Sequence, residues 1–249
     1  MINVTRGEKP TSLDNPAIQS YLDKVASYNS LEDDDRKIAK QPKSNISYRN
    51  FDVLEAFARD FHSKCYLTEQ KFENPWAMDI EHFKSKAFGQ FPELKYEWAN
   101  LYPCTHDANM AKPRNEPNGS YLDPCDPNED VEEEIIYTLM SNGESYFDAK
   151  DSQNIKAKNT SALLDKIHNG DDFDSKKKTA TLRFYINKKA DEVKELIMSW
   201  QYNKLKGNVT EEKHLERKIK NILSRKSDFT MLLRSLSCVK QYLPKEFLD

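Results

Sequence analysis

Glycine is scarce in this chain, with only six in 249 residues, and no Gly-x-x-x-x-Gly-Lys stretch occurs. A Walker-type phosphate loop needs such glycines for its backbone to wrap a nucleotide, so any ATP dependence must come from another chain. Long hydrophobic runs are missing too. No stretch of about 18 apolar residues exists, which excludes an obvious membrane helix. The opening Met1-Ile2-Asn3-Val4-Thr5-Arg6-Gly7 lacks the apolar core of a secretion signal, so a cytoplasmic protein is expected, with no membrane contact. Cysteines are few and scattered, at 65, 104, 125 and 238. In a reducing compartment they are metal ligands or buried thiols rather than disulfides. Internal repeats and low-complexity segments are also lacking.

What is present is charge and aromatic bulk. Charged residues make up 32% of the chain and mean hydropathy is -0.86, yet 12 Phe, 12 Tyr and 3 Trp argue against disorder. The net charge of -3 hides an asymmetry. Residues 121–151 hold ten acidic side chains and one basic, whereas 176–226 hold fifteen basic and six acidic. The basic segment is either a face for phosphates or a solvated helix surface.

Periodicity predicts helices over 16–29, capped by Asn15 with Pro16 in its first position, and over 50–63. Residues 1–15 read as extended and 30–48 as a polar loop. A hairpin is expected over 131–149, turning at Asn142-Gly143 through a type I′ turn. From about 174 the pattern is helical, with Leu182, Ile186, Ala190, Val193, Ile197 and Trp200 on one stripe. Gly207-Asn208 breaks it before a helix carrying Leu215, Ile219, Ile222 and Leu223, and a last helix runs near 228–242.

Residues 64–128 hold three of the four Cys and lack a long periodic stretch. Here Trp76, Met78, Ile80 and Phe83 fit a strand ending at Asp79-Ile80-Glu81-His82. A second short strand follows in Trp98-Ala99-Asn100-Leu101-Tyr102-Pro103. Asn109 comes nine residues after Asn100, within a short helix capped by Thr105 and stopped by Pro113.

This order of acid–His strand, Asn strand and Asn helix resembles the ββα-metal fold of HNH endonucleases. Its wider context is Lys64-Cys65-Tyr66-Leu67, then Asp79 to Phe83, Trp98 to Cys104, and Leu122-Asp123-Pro124. That context is similar to the HNH nucleases of Septu and retron anti-phage defence systems, the PtuB type. Arg6-Gly7 with Pro10 and Leu13 is similar as well. The resemblance covers roughly residues 1–190 and is specific only within 64–124.

It implies an α+β fold, mostly helical, in three parts. An N-terminal helical and partner-binding segment spans 1–63, the HNH core 64–128, and a hairpin with C-terminal helices 129–249. It implies His82 as general base and Asn100 as the residue that orients it. Glu81 and Asn109 would hold one Mg²⁺ or Mn²⁺, with Asp79 fixing the His82 tautomer or supporting the metal shell. Lys84, Lys86, Lys112 and Arg114 flank these positions as candidate contacts to the nucleic-acid backbone, DNA or RNA. The implied partner is an ABC-type ATPase of the PtuA kind, with 1–48 and the helices after 174 as candidate surfaces.

Relatives in that family often bind a structural Zn²⁺ through two Cys-x-x-Cys pairs. Here those pairs read Cys65/Thr68 and Cys104/Asp107, so half the thiolates are gone. Zinc at Cys65 and Cys104 would need His106 or Cys125 to complete it, and two buried thiols are the preferred reading. Packing by Phe61, Trp76, Phe83, Tyr96 and Trp98 would then hold the loops. The loss also opens an alternative function, a catalytically degraded HNH-fold module that binds nucleic acid or a partner. A misplaced His82 would mark it.

Overall fold

The computed structural model describes residues 1–248 and is an α+β fold, mostly helical, with two small antiparallel sheets. The N-terminal strap runs without regular structure to a 3₁₀ turn at Thr11–Asp14. It is not free: Met1, Ile2, Val4 and Leu13 are buried in the main core. Arg6 fixes its middle by donating to the carbonyls of Trp98 and Leu101 at 3.0 and 2.9 Å, with its guanidinium 4.2 Å from the Tyr102 ring centroid. Helix α1 (Pro16–Asn29) begins as expected, with Asn15 Oδ1 accepting from the Ala17 amide and Pro16 in the first turn. Within the expected loop the chain forms a short helix, α2 (Asp33–Ile38), whose three opening aspartates suit the positive end of a helix. Helix α3 (Phe51–Asp60) stops short of residue 63, because His62 and Ser63 take positive φ and turn the chain.

Two four-residue strands follow, β1 (Asp79–His82) and β2 (Leu101–Cys104), paired antiparallel with Glu81 opposite Tyr102 and His82 opposite Leu101. Both strands are shorter than expected. Trp76 lies in a 3₁₀ turn, exposed and tilted against Phe51, while Trp98 and Asn100 lie in another just before β2. Trp76 therefore contributes nothing to the core; Phe57, stacked on Trp98 at 4.9 Å, takes that part. Helix α4 (His106–Ala111) follows at once. Thr105 stands at its N-cap position without capping it, since its hydroxyl lies 3.9 Å from Cys65 Sγ instead.

Beyond the core segment, Val131–Glu134 forms a helical turn, α5, and the hairpin is only β3 (Ile135–Leu139) and β4 (Ser145–Ala149). Its turn differs from expectation. Gly143 alone takes positive φ, and the Gly143 amide donates to the Met140 carbonyl at 3.0 Å. A three-residue loop with glycine in the left-handed position matches strand twist as well as a type I′ turn does. Helix α6 (Ile155–Asn169) packs on β4 and has no counterpart in the sequence reading. Helix α7 (Phe173–Lys178) leads into α8 (Ala180–Leu205), which forms a hairpin with α9 (Val209–Leu223) across Gly207 at φ +70°. The expected final helix is two, α10 (Thr230–Arg234) and α11 (Ser237–Tyr242). One buried core runs continuously from Met1 to Phe247 and takes side chains from all three expected segments.

Candidate active site

Alternation along β1 sends Asp79 and Glu81 to one face and Ile80 and His82 to the other. Glu81 points toward α4 and Tyr66. The Tyr66 hydroxyl donates to Glu81 Oε2 at 2.8 Å, and burial with Glu81 alongside pushes that phenol well above its ordinary pKa, so it stays a donor. Lys112 Nζ lies 2.5 Å from Glu81 Oε1.

His82 is buried beneath Tyr48, whose ring meets the imidazole edge-on at 4.9 Å. Nε2 lies 3.0 Å from the Lys95 carbonyl oxygen. A carbonyl can only accept, so Nε2 carries the hydrogen and Nδ1 of the neutral ring keeps its lone pair. Burial, with Lys86 nearby, pushes the imidazole pKa down to about 3, so the ring is uncharged near neutrality.

Asn100 is buried and fully engaged. Its Oδ1 accepts from the Lys84 amide at 2.6 Å, and Nδ2 donates to the Lys84 and Leu94 carbonyls at 3.0 and 3.1 Å. It does not touch His82; it fixes the residue before the carbonyl that does. The same segment is held from outside by α1, through Tyr21 edge-on to Tyr96 at 5.7 Å. Tyr96 in turn donates to the Ile46 carbonyl at 2.9 Å. The positioning of His82 thus begins some 60 residues upstream, in α1.

Asp79 is not the residue that orients His82. Its Oδ2 lies 2.9 Å from His106 Nδ1 and accepts from Asn109 Nδ2 at 3.3 Å, with Arg49 at 3.9 Å. It therefore ties α4 to β1 and turns the carbonyl end of the Asn109 amide away from itself. Of the two roles expected for Asp79, control of the His82 tautomer does not fit these contacts; in place of His82 it bonds Asn109, one of the two residues expected to hold the metal.

Glu81, His82, Lys86, Asn109, Lys112 and Arg114 all line one open cleft of about 280 Å³. Lys86 sits over Tyr48 and donates to its hydroxyl at 2.6 Å; Arg114 is exposed at the rim. Lys84 is turned elsewhere, over Phe91. Lys112 is the larger departure, because its ammonium is spent on Glu81 and on the His82 and Phe83 carbonyls rather than offered to solvent. The sequence reading missed Tyr48, Tyr66 and Lys95. Tyr66 stood within the motif segment, but nothing marked its hydroxyl as Glu81's partner.

Cys65 and Cys104 are buried with their sulfurs 3.9 Å apart. Hydrogen bonds from Cys104 and Thr68 outweigh burial and pull the Cys65 thiol down to about 6. Burial, with Cys65 alongside, pushes the Cys104 thiol well up. Among the described residues no three His, Cys, Asp or Glu side chains converge as a metal cluster. A hard cation does not need such a cluster, since Mg²⁺ commonly takes one or two carboxylates and fills its shell with water. The oxygens around Lys112 Nζ, one carboxylate and two carbonyls, have the right donor chemistry, and the ammonium already stands in for a cation there. No family model matches the sequence, and no curated protein or solved structure matches the chain.

Proposed function

We propose that this chain is a metal-dependent endonuclease of the HNH kind, hydrolysing phosphodiester bonds in DNA or RNA. The observation that carries the reading is His82. Its Nε2 is committed to the Lys95 carbonyl, and it shares a cleft with Glu81, Asn109 and cationic side chains.

In this reading His82 Nδ1 accepts the proton of the attacking water as general base. Glu81 and Asn109 hold one Mg²⁺ or Mn²⁺, which when bound polarises the phosphate and neutralises the leaving oxygen. Asp79 holds the Asn109 amide in the orientation that presents its oxygen. Asn100 holds the Lys84 and Leu94 backbone, keeping the Lys95 carbonyl in place for His82. Lys86 and Arg114 bind flanking phosphates, which gives affinity without sequence preference. Tyr66 keeps one oxygen of Glu81 engaged so that the other faces the cleft.

An ABC-type ATPase partner and a role in anti-phage defence belong to the same proposal. Their support is the sequence resemblance alone. A non-catalytic binding module is the competing reading, favoured by the Lys112 ammonium lying on Glu81. Incubation with DNA and RNA under Mg²⁺ or Mn²⁺ separates the two. Cleavage that stops on chelation with EDTA is expected; cleavage indifferent to EDTA contradicts the proposal.

A further inference from the structure

Lys112 lies three residues beyond Asn109, just past the end of α4, and its side chain folds back into the cleft. Its ammonium is 2.5 Å from Glu81 Oε1, 2.7 Å from the Phe83 carbonyl and 3.1 Å from the His82 carbonyl. The rings of Phe83 and Tyr121 flank it at 5.3 and 5.6 Å. Both side chains of the ion pair are 6% exposed. A lysine is rarely buried to this degree unless its charge is fully partnered, and here every partner is an oxygen or an aromatic ring. These are also the hard oxygens a divalent cation would seek at Glu81.

A divalent ion bound to Glu81 Oε1 would stand within a few ångströms of the Lys112 ammonium, and in so buried a place the two positive charges repel and compete for the same oxygen. We infer that Lys112 is an exchangeable internal cation, holding the place of the divalent ion on Glu81 and withdrawing from it when that ion binds. This rests on the reading of the cleft as a nuclease centre. Lys112 is then neither a permanent structural bridge nor, in the free protein, a phosphate contact. Its ion pair lowers the apparent affinity for the metal by the fraction of molecules in which the lysine has withdrawn. Lys112 stands at the C-cap of α4 with extended backbone, so withdrawal of its side chain would break no turn of the helix.

The test is Mn²⁺ affinity of the full chain, read by electron paramagnetic resonance of free Mn²⁺, so that catalysis is not involved. Lys112→Met keeps an apolar stem between Phe83 and Tyr121 and removes the charge; it is expected to bind Mn²⁺ about tenfold more tightly than wild type. Lys112→Arg retains a cation and is expected not to tighten binding. Lys112→Gln serves in place of Lys112→Met should that variant unfold, as judged by thermal unfolding. Glu81→Gln is expected to abolish the site in every background. Lys112→Met or Lys112→Gln binding no tighter than wild type, while Glu81→Gln still abolishes binding, overturns the inference and leaves the nuclease reading standing. Mn²⁺ binding that ignores Glu81→Gln, or is absent from all folded variants, overturns both.

Discussion

Asn100 illustrates how one buried amide can serve a site it does not enter. Three hydrogen bonds tie this buried side chain to the half-buried backbone of Lys84 and Leu94. Truncation leaves the Lys84 amide and the Lys84 carbonyl short of a partner, at a cost of about 1–3 kcal/mol for such a group, while the Leu94 carbonyl keeps the Glu97 amide. Asn100→Ala is therefore expected to lower stability by roughly that amount in urea unfolding. Asn100→Asp, which keeps the acceptor for the Lys84 amide but loses both donors, is also expected to be destabilised. An unchanged midpoint for Asn100→Ala would show that the loop holds itself. At this scale the sequence named residues that the fold brings into one cleft, without showing the contacts each makes there. Glu81, His82 and Asn109 share one cleft, as their order implied. The roles of Asp79 and Lys112 differed, because a charged side chain chooses among partners that only the fold brings near. The oxygens that hold Lys112 come from three consecutive residues of β1 and its exit, and two of them are backbone carbonyls that no motif records.

Among the elements, those with strong periodicity were legible. The stripe from Ile186 to Trp200 is buried in α8, and Leu215, Ile219, Ile222 and Leu223 are buried in α9. Helix α6 escaped notice because its buried face includes Thr160, Ser161, His168 and Asn169, which no apolar template scores. Thr160 accepts from the Leu122 amide at 2.8 Å, and Asn169 exchanges two hydrogen bonds with the Ser145 backbone, so polar contacts fix this helix on the 122 segment and on the hairpin. The short strands were misjudged in length for a related reason. Trp76 and Trp98 are suited to strands in isolation, but Pro75 and the turn at 98–100 divert the chain into 3₁₀ geometry. The α8–α9 hairpin makes a direct prediction. Ile219 is 0% exposed, so Ile219→Ala should cost about 2–5 kcal/mol by cavity formation. Leu205, at 87% exposed near the hairpin tip, should tolerate alanine within about 0.5 kcal/mol. Equal effects at the two positions, measured by chemical denaturation, would refute this packing.

For the molecule as a whole, burial of two histidines couples folding to pH. Burial pushes His168 down to about 4 and His82 down to about 3, from an ordinary value of 6.5. The unfolded chain therefore takes up protons at higher pH than the folded one, and stability rises with pH across that window. It is fully present above about pH 6.5 and is lost as the pH falls toward 4. Below the ordinary carboxylate value of 4.5 the loss continues through Glu69, held down to about 2 despite burial by the N-terminal ammonium and Lys64. Melting temperature should accordingly fall as the pH drops from 6.5 to 4, with His168→Gln flattening that slope. A melting temperature insensitive to pH there would contradict the buried, uncharged state of these rings. An uncharged His82 keeps a lone pair that can accept a proton, while a pKa near 3 makes it a weak base, so the most direct measurement concerns that residue. Metal-dependent cleavage of nucleic acid by wild type should be compared with His82→Ala at a temperature where both are folded. Loss of a general base costs typically about 10²–10⁴-fold in rate, and a drop of that size is predicted. Cleavage by His82→Ala at the wild-type rate, in the presence of the same metal, would contradict the account.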